Sequence, residues 1–335
     1  MYIEEGKFSL WCDFVEREFL QSGFVKLLEK HIVNGATSNP AIFKSAFLSS
    51  AAYKEDIEKL KGEDPKKIYE TLAIKDIQIS ADLLLNLYEK GDDGFISIEV
   101  DPALCNDTIG TIEEGVRLFT SINRPNVMIK VPATDAGYEA MQVLLSKGIN
   151  VNATLIFSPD QANSCMEAFA KGSTIFSDTN PEKPLPKAVI SIFVSRFDRK
   201  MDALFLEKEI PTALLGIYNA TKIYYNIQKW ALPNVRALFA STGVKGNDLP
   251  KAYYVTELLY ENSVNTAPLE TIDAFVQTGI KQTKKPIEEE IIENFFLLLE
   301  EKNIDIKAIY NTLLEEGLDA FKIAFKEILE ELEKG

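Results

Sequence analysis

Histidine is almost absent from this sequence, which holds one residue of this type, His31, among 335. Catalytic triads of the Ser-His-Asp and Cys-His types and multi-histidine metal sites all need histidine, so they are effectively excluded. His31 lies in the amphipathic stretch LLEKHIVNG, which ends a predicted helix, and this position favours capping of the helix C-terminus. If the protein is an enzyme, carboxylates, lysine, tyrosine or water must carry its protons.

Cysteine is also scarce, and the three residues Cys12, Cys105 and Cys165 are far apart. No CxxC pair occurs, so the sequence predicts neither a disulfide framework nor a zinc site. The N-terminus has no basic segment followed by an apolar stretch, and no apolar run approaches the roughly 18 residues of a membrane helix. These features predict a cytoplasmic protein that does not insert into a membrane.

Positive charge is in deficit, because the formal net charge is −15. A strongly acidic surface argues against nucleic acids and anionic membranes as partners. Any phosphate-binding site must then be a local positive pocket within a negative field. The sequence leaves open whether the protein is a monomer or a homodimer.

Short β-branched runs alternate with longer helix-period segments, which is typical of repeated βα units and a parallel sheet. The predicted strands are Leu10–Phe14, Val33–Thr37, Phe95–Val100, Val127–Val131, Ile149–Ile156, Ala188–Val194, Arg236–Ala240 and Ser263–Thr266. Eight strands, each followed by a helix, favour an α/β fold of the (β/α)8 barrel type with additional helices. An open doubly wound sheet is the structural alternative.

The pattern predicts one domain over residues 1–335, because such barrels run past about 250 residues as a single unit. A helical insertion is predicted at about residues 44–90, and a helical C-terminal extension at about residues 286–335. Helix boundary signals support individual segments. Ser158-Pro159-Asp160-Gln161 offers an N-cap with a capping box, and Gly148 closes a helix that starts near Thr134.

Polar side chains that interrupt or end the apolar strands are the chemically informative residues. They are Asp13, Asn39, Glu99, Lys130, Asn152, Thr154, Ser191, Arg196, Ser241 and Thr242. Most fall toward the C-terminal ends of their strands, where barrel enzymes build their active sites. Structural alternatives exist for several of them: Asp13 would cap a helix, Asn39-Pro40 is a common turn signal, and Thr154 suits any strand.

Lys130 is harder to explain by structure alone, because burying an ammonium group is costly unless it is paired or neutralised. One interpretation is an ion pair with Glu99 or Asp13. The other is a nucleophile: free lysine has a pKa of ~10.4, so a site must favour its neutral form before the amine attacks a ketone. The iminium that forms withdraws electrons from the neighbouring carbon–carbon bond, so aldol cleavage needs no metal or other cofactor.

The segments GATSNPAIF, SIEVDP, VMIKVPAT, NVNATLIFS, SIFVSRFD and LFASTG resemble, in this order, motifs of the transaldolases. Each motif is moderately specific, whereas six in order are strong evidence, and the resemblance extends from Leu10 to about Gln277. It implies an enzyme of the pentose phosphate pathway without a cofactor. Such an enzyme moves a dihydroxyacetone unit from sedoheptulose 7-phosphate to glyceraldehyde 3-phosphate, giving erythrose 4-phosphate and fructose 6-phosphate.

The resemblance also implies roles for individual residues. Lys130 would form the Schiff base, Glu99 and Asp13 would move protons, and Thr154 would hold a catalytic water with Glu99. The residues implied in binding the sugar phosphate are Asn39, Asn152, Ser191, Arg196 and Ser241. Many transaldolases have an arginine two residues after the serine that matches Ser241, but this chain has Gly243 there, and we predict that Lys245 supplies the second positive charge.

Small aldolases of the same superfamily resemble this chain around Lys130 but release free dihydroxyacetone from fructose 6-phosphate. They carry a tyrosine where this sequence has Phe193, and an apolar ring there would keep the enamine from being protonated early. Chain length and Phe193 therefore favour transfer over release, although Phe193 is equally compatible with a core position. A catalytically inactive barrel that binds partners through its Glu/Lys-rich C-terminal helices is a third hypothesis.

Overall fold

Parallel strands follow one another around a closed barrel in the order in which they occur in the sequence. They are seen in a computed structural model that describes residues 1–334. The strands are β1 Ser9–Cys12, β2 Gly35–Thr37, β3 Phe95–Glu99, β4 Val127–Pro132, β5 Asn150–Ile156, β6 Ala188–Phe193, β7 Val235–Ala240 and β8 Ser263–Ala267. The predicted (β/α)8 barrel is confirmed, and the open sheet is not observed.

The helices surround the barrel and also extend beyond its repeating units. Within residues 1–334 the α-helices are α1 Arg17–Phe19, α2 Val25–Glu29, α3 Pro40–Ser49, α4 Lys54–Lys59, α5 Pro65–Glu89, α6 Thr108–Ile122, α7 Asp135–Ser146, α8 Pro159–Thr179, α9 Ser195–Glu207, α10 Leu215–Trp230, α11 Tyr253–Glu257, α12 Leu269–Gln277, α13 Glu289–Glu301 and α14 Ile306–Lys334. A π-helix, Leu20–Phe24, joins α1 to α2, and short 3-10 helices form at Ala51–Tyr53 and Pro102–Leu104. None of the helices in this part of the chain combines the length and the apolar character that crossing a membrane requires.

Local signals in the sequence explain several helix ends. The Ser158 side chain and Gln161 form the predicted capping box at the start of α8. Gly148 has a φ of +83°, which lets the chain leave α7 in the left-handed region. His31 also has a positive φ of +53°, and its N–H donates to the Leu28 carbonyl at the end of α2, so it does terminate a helix.

The barrel interior is layered, with apolar side chains below and polar ones above. The lower level holds large apolar groups, including Trp11, Phe95, Met128, Val189, Leu238 and Val264, all of them buried. Side chains two residues further along a strand point to the same face one level higher. Those positions are Asp13 after Trp11, Lys130 after Met128 and Ser191 after Val189, so the polar residues converge at the C-terminal mouth.

Strand register aligns three of the polar residues directly. In the parallel ladder, Glu99 of β3 is opposite Lys130 of β4, and Lys130 is opposite Asn152 of β5. The register between β5 and β6 shifts between Ala153 and Ile156, and Leu155 within this bulge has a φ of +58°. Bulges of this kind redirect side chains at the rim of a sheet.

Candidate active site

A cavity of about 170 Å³ opens at the C-terminal mouth of the barrel. Its lining residues are Asp13, Thr37, Asn39, Ala41, Lys130, Ser191, Phe193, Arg196, Ala240, Ser241, Thr266 and Phe321. Seven of the sequence-predicted site residues are therefore brought together around one space. The members of that group are Asp13, Asn39, Lys130, Ser191, Phe193, Arg196 and Ser241.

Lys130 is a buried lysine that lines this cavity. Its side chain is 7% exposed, and its Nζ lies 3.5 Å from Oε2 of Glu99. The same nitrogen donates a hydrogen bond of 3.2 Å to the Ser38 carbonyl oxygen and lies 5.8 Å from the centre of the Phe321 ring. Both interpretations of Lys130 are therefore compatible with the geometry: it has an ion-pair partner, and it faces a cavity.

Glu99 lies beside Lys130 with 2% of its side chain exposed. Burial raises the pKa of Glu99 to about 7, and the neighbouring charge of Lys130 opposes that rise. Neither carboxylate oxygen of Glu99 has a hydrogen-bond partner within residues 1–334, and the same is true of Thr154 Oγ1. Buried polar atoms are normally hydrogen-bonded, so these two side chains retain the capacity to bind a small polar group.

Asp13 follows β1 and faces the same cavity. Its Oδ1 accepts a hydrogen bond of 2.6 Å from the Thr37 hydroxyl, which lies 2.6 Å from the Thr266 hydroxyl. Burial raises the pKa of Asp13, while Lys130 and the hydrogen bond from Thr37 oppose the rise. The capping alternative for Asp13 is not observed, because the side chain of Glu16 caps α1 instead.

The polar side chains on β5 and β6 form a hydrogen-bonded chain below the cavity. Ser191 donates a bond of 2.6 Å to Oδ1 of Asn152, and Nδ2 of Asn152 donates one of 3.0 Å to Ser97. Ser191 lines the cavity, whereas Asn152 lies behind it and orients it. Two residues after β2, Asn39 caps α3 by accepting from the Ile42 N–H at 3.0 Å, and it lines the cavity as well.

Arg196 places a second positive charge at the rim of the cavity. Its guanidinium lies over the Phe193 ring, 5.0 Å from the centroid. Burial and the nearby charge of Arg199 lower the pKa of Arg196 to about 10, so the group remains charged at neutral pH. Ser241 has a φ of +53°, and its hydroxyl lies 3.2 Å from that of Ser195 at the start of α9.

Lys245 does not join this group. It is exposed in the loop after β7 and is not among the residues that line the cavity. Gly243 lies close to β8, since a Cβ there would meet Cγ of Pro268 at 3.1 Å. The assignment of Lys245 as a second phosphate contact stays a prediction.

Five of the residues that line the cavity are not singled out by the sequence: Thr37, Ala41, Ala240, Thr266 and Phe321. Thr37 lies within the GATSNP segment and Thr266 ends a predicted strand, so their positions at strand ends were a usable signal. Phe321 belongs to the C-terminal extension and carries no such signal. An aromatic residue on an amphipathic helix has the same sequence pattern whether it packs on a core or on a cavity.

The fold and the cavity define a class of protein: a (β/α)8 barrel with a buried lysine–glutamate pair at the C-terminal mouth. The family model for transaldolase/fructose-6-phosphate aldolase matches residues 10–332, and the chain belongs to this family. It is 51% identical to a transaldolase of Campylobacter jejuni strain 81-176, over 97% of this chain and 99% of that protein. It is 47% identical to a transaldolase of Helicobacter pylori strain Shi470, over 96% of this chain and 98% of that protein.

Proposed function

We propose that the protein is a transaldolase of the pentose phosphate pathway that carries a dihydroxyacetone unit on Lys130. The donor is sedoheptulose 7-phosphate, and the acceptor is glyceraldehyde 3-phosphate. The observation that carries the proposal is the buried Nζ of Lys130, which faces the cavity and lies 3.5 Å from Glu99. A buried amine beside a group that titrates near neutral pH is suited to nucleophilic catalysis.

The reaction begins when the neutral amine of Lys130 adds to the ketone of the donor. Loss of water from the resulting carbinolamine gives an iminium, and Glu99 with Thr154 holds the water that exchanges these protons. Asp13 then removes the proton from the hydroxyl at the far carbon of the bond to be cleaved. That carbon–carbon bond breaks, the aldehyde leaves, and the bonding electrons neutralise the iminium to give an enamine.

When the acceptor aldehyde binds, these steps run in the opposite direction. The enamine carbon attacks the aldehyde, and Asp13 returns its proton to the new hydroxyl. Hydrolysis of the iminium then frees fructose 6-phosphate and the amine of Lys130. We infer that Asn39 and Ser191, which both line the cavity, bind the hydroxyls of the dihydroxyacetone unit, and that Asn152 orients Ser191. We assign the phosphate to Arg196 and Ser241, which also line the cavity, because a phosphate needs a local positive charge on this acidic chain.

Transfer, rather than release of dihydroxyacetone, is supported by two observations. The family description covers both transaldolases and fructose-6-phosphate aldolases, but the relatives that match nearly the whole chain are named transaldolase. In addition, Phe193 lines the cavity and presents an apolar ring there. A ring without a hydroxyl cannot deliver a proton to the enamine.

The proposal is tested by borohydride reduction in the presence of fructose 6-phosphate, followed by peptide mass analysis. We expect a dihydroxyacetone adduct on the peptide that contains Lys130. A second assay omits the acceptor aldehyde, and we expect little free dihydroxyacetone. An adduct on another lysine, or an active protein without an adduct, would contradict the mechanism. Rapid release without acceptor would identify an aldolase, and absence of both activity and adduct would favour an inactive barrel.

Substituting Lys245→Ala tests the second phosphate contact. A single exposed charge contributes up to about 1 kcal/mol, so we expect KM for phosphorylated sugars to rise ~2- to 5-fold with kcat unchanged. Steady-state kinetics with fructose 6-phosphate measure the effect. Lys90→Ala is the matched control. Lys90 is an exposed lysine at the end of α5, before β3 begins, and so lies at the opposite mouth of the barrel. An unchanged KM in Lys245→Ala would remove this residue from the site.

Cellular context and domain organisation are also part of the proposal. All three cysteines are free and buried, which suits a reducing cytoplasm. We propose that residues 1–335 act as one unit, in which the helices α3 to α5 and α13 to α14 correspond to the insertion and the extension. Sugar phosphates are the only partners that the proposed reaction requires.

A further inference from the structure

Helix α14 is fastened to two opposite sides of the barrel mouth. Lys200 on α9 donates to Glu316 of α14 at 2.6 Å, and Lys44 on α3 pairs with Glu327 of α14. Helix α9 follows β6 and α3 follows β2, and these two strands lie opposite each other in the closed ring. The stretch between the two glutamates spans roughly 16 Å at 1.5 Å per residue. The helix therefore crosses the mouth of the barrel.

The crossing brings the helix backbone into direct contact with the site. At Gly317 the helix approaches the site closely, because a Cβ there would meet Cδ2 of Leu155 at 2.9 Å and Nη1 of Arg196 at 3.2 Å. Further along, Phe325 packs edge-on against Tyr69 of α5, with ring centroids 4.9 Å apart. The contacts at both ends fix the height of the helix above the strand ends.

Phe321 lies midway between the two fastening glutamates and points into the cavity. It is 6% exposed, it lines the cavity, and its ring centre lies 5.8 Å from Nζ of Lys130. The same nitrogen contacts Glu99 of β3 and the Ser38 carbonyl immediately after β2, which both belong to the barrel. Phe321 is the residue of the C-terminal extension that lines the cavity. Because α14 crosses the mouth, its ring faces the amine of Lys130 from the solvent side.

The outcome of the proposed reaction depends on water at this position. Release of free dihydroxyacetone needs one proton at the enamine carbon and then one water to hydrolyse the iminium, which returns the amine of Lys130. Transfer never protonates the enamine carbon, because the acceptor aldehyde bonds there, and it needs the hydrolytic water only after that bond has formed. A group that keeps water away from the enamine therefore favours transfer over release.

We propose that Phe321 is a specificity-determining residue, which α14 holds over Lys130 so that the enamine is protected from solvent until the acceptor binds. This inference rests on the proposed function, and it assigns a chemical role to the C-terminal extension. The residue acts by excluding water and takes no part in bond making. Its role is separate from that of Phe193, which belongs to β6 and lies under Arg196.

The test compares Phe321→Ala and Phe321→Leu with the wild type. Fructose 6-phosphate is the donor, with and without erythrose 4-phosphate, and the readout is dihydroxyacetone released per transfer event. We expect the ratio to rise about tenfold or more in Phe321→Ala and by less in Phe321→Leu, which keeps an apolar side chain. Ile323→Ala is the matched control, because Ile323 lies on the same helix but is 57% exposed, and its ratio should not change.

Borohydride trapping separates this inference from the proposed function. If the wild type forms no adduct on Lys130, the proposed function itself fails. If the wild type forms the adduct and a folded Phe321→Ala releases no more dihydroxyacetone per transfer, the role of Phe321 is overturned. Should the alanine variant not fold, the leucine variant decides, and an unchanged ratio there overturns the role in the same way.

Discussion

Replacing Lys130 with methionine should abolish dihydroxyacetone transfer, with kcat/KM reduced by about 10⁴-fold or more. Losses of this size are typical when an enzyme loses its covalent nucleophile. Methionine has a similar length and fills the same buried space, so the cavity walls should keep their packing. The borohydride-dependent mass increase on this peptide should disappear as well.

The fold should survive the Lys130→Met substitution despite the loss of a buried charge. Breaking a buried ion pair is strongly destabilising when the partner remains charged. Burial already raises the pKa of Glu99 to about 7, and losing the opposing charge of Lys130 raises it further. The carboxyl group is then neutral at pH 7, which avoids an unpaired buried charge.

Three measurements check this prediction: the transfer rate, the peptide mass after reduction, and the melting temperature. Lys187→Met is the matched control, because Lys187 is an exposed lysine immediately before β6 at the opposite mouth. It should leave the rate and the adduct unchanged. A Lys130→Met variant with substantial transfer activity would show that another group carries the dihydroxyacetone unit.

Replacing Glu99 with glutamine should lower kcat by ~10²- to 10⁴-fold, the range expected for the loss of a general acid–base group. Glutamine has the same shape but cannot exchange a proton. Since Lys130 remains, the adduct should still form with fructose 6-phosphate, but more slowly. The rate loss with a retained adduct distinguishes proton transfer from covalent chemistry.

The pH profile provides an independent check on Glu99. Burial raises the pKa of this group to about 7, so the carboxylate form that accepts protons is lost as the pH falls through that value. Wild-type activity should therefore decline below about pH 7, and Glu99→Gln should lack this limb. Glu113→Gln, at an exposed position on α6, is the control and should keep the wild-type profile. A variant that retains both the rate and the limb would remove Glu99 from the mechanism.

Much of the site could be predicted because a strand has a period of two. Lys130 and Ser191 each lie two residues beyond an apolar interior residue, so their inward direction follows from the pattern once the strands are recognised. Glu99 and Lys130 meet through strand register. Register in a parallel barrel follows from closure, and the hydrophobic pattern alone does not specify which residues become neighbours.

Other parts of the site depend on long-range packing. Asn152 and Ser191 are both predicted to bind substrate hydroxyls; Ser191 lines the cavity and donates to Oδ1 of Asn152, which is not among the lining residues. Lys245 follows Thr242 by only three residues, yet it lies outside the cavity. The loop after β7 exposes its side chain to solvent. A loop has no period from which the direction of a side chain follows.

The alternation of strands and helices, the barrel and the polar residues at the strand ends all follow from the sequence pattern, because periodicity is a local property. The path of α14 across the mouth, and the orientation of Phe321 toward the amine of Lys130, depend instead on packing between distant parts of the chain. An amphipathic helix shows the same pattern whichever surface it covers. Its docking is selected by distant contacts, such as the ion pairs of Glu316 and Glu327 with α9 and α3.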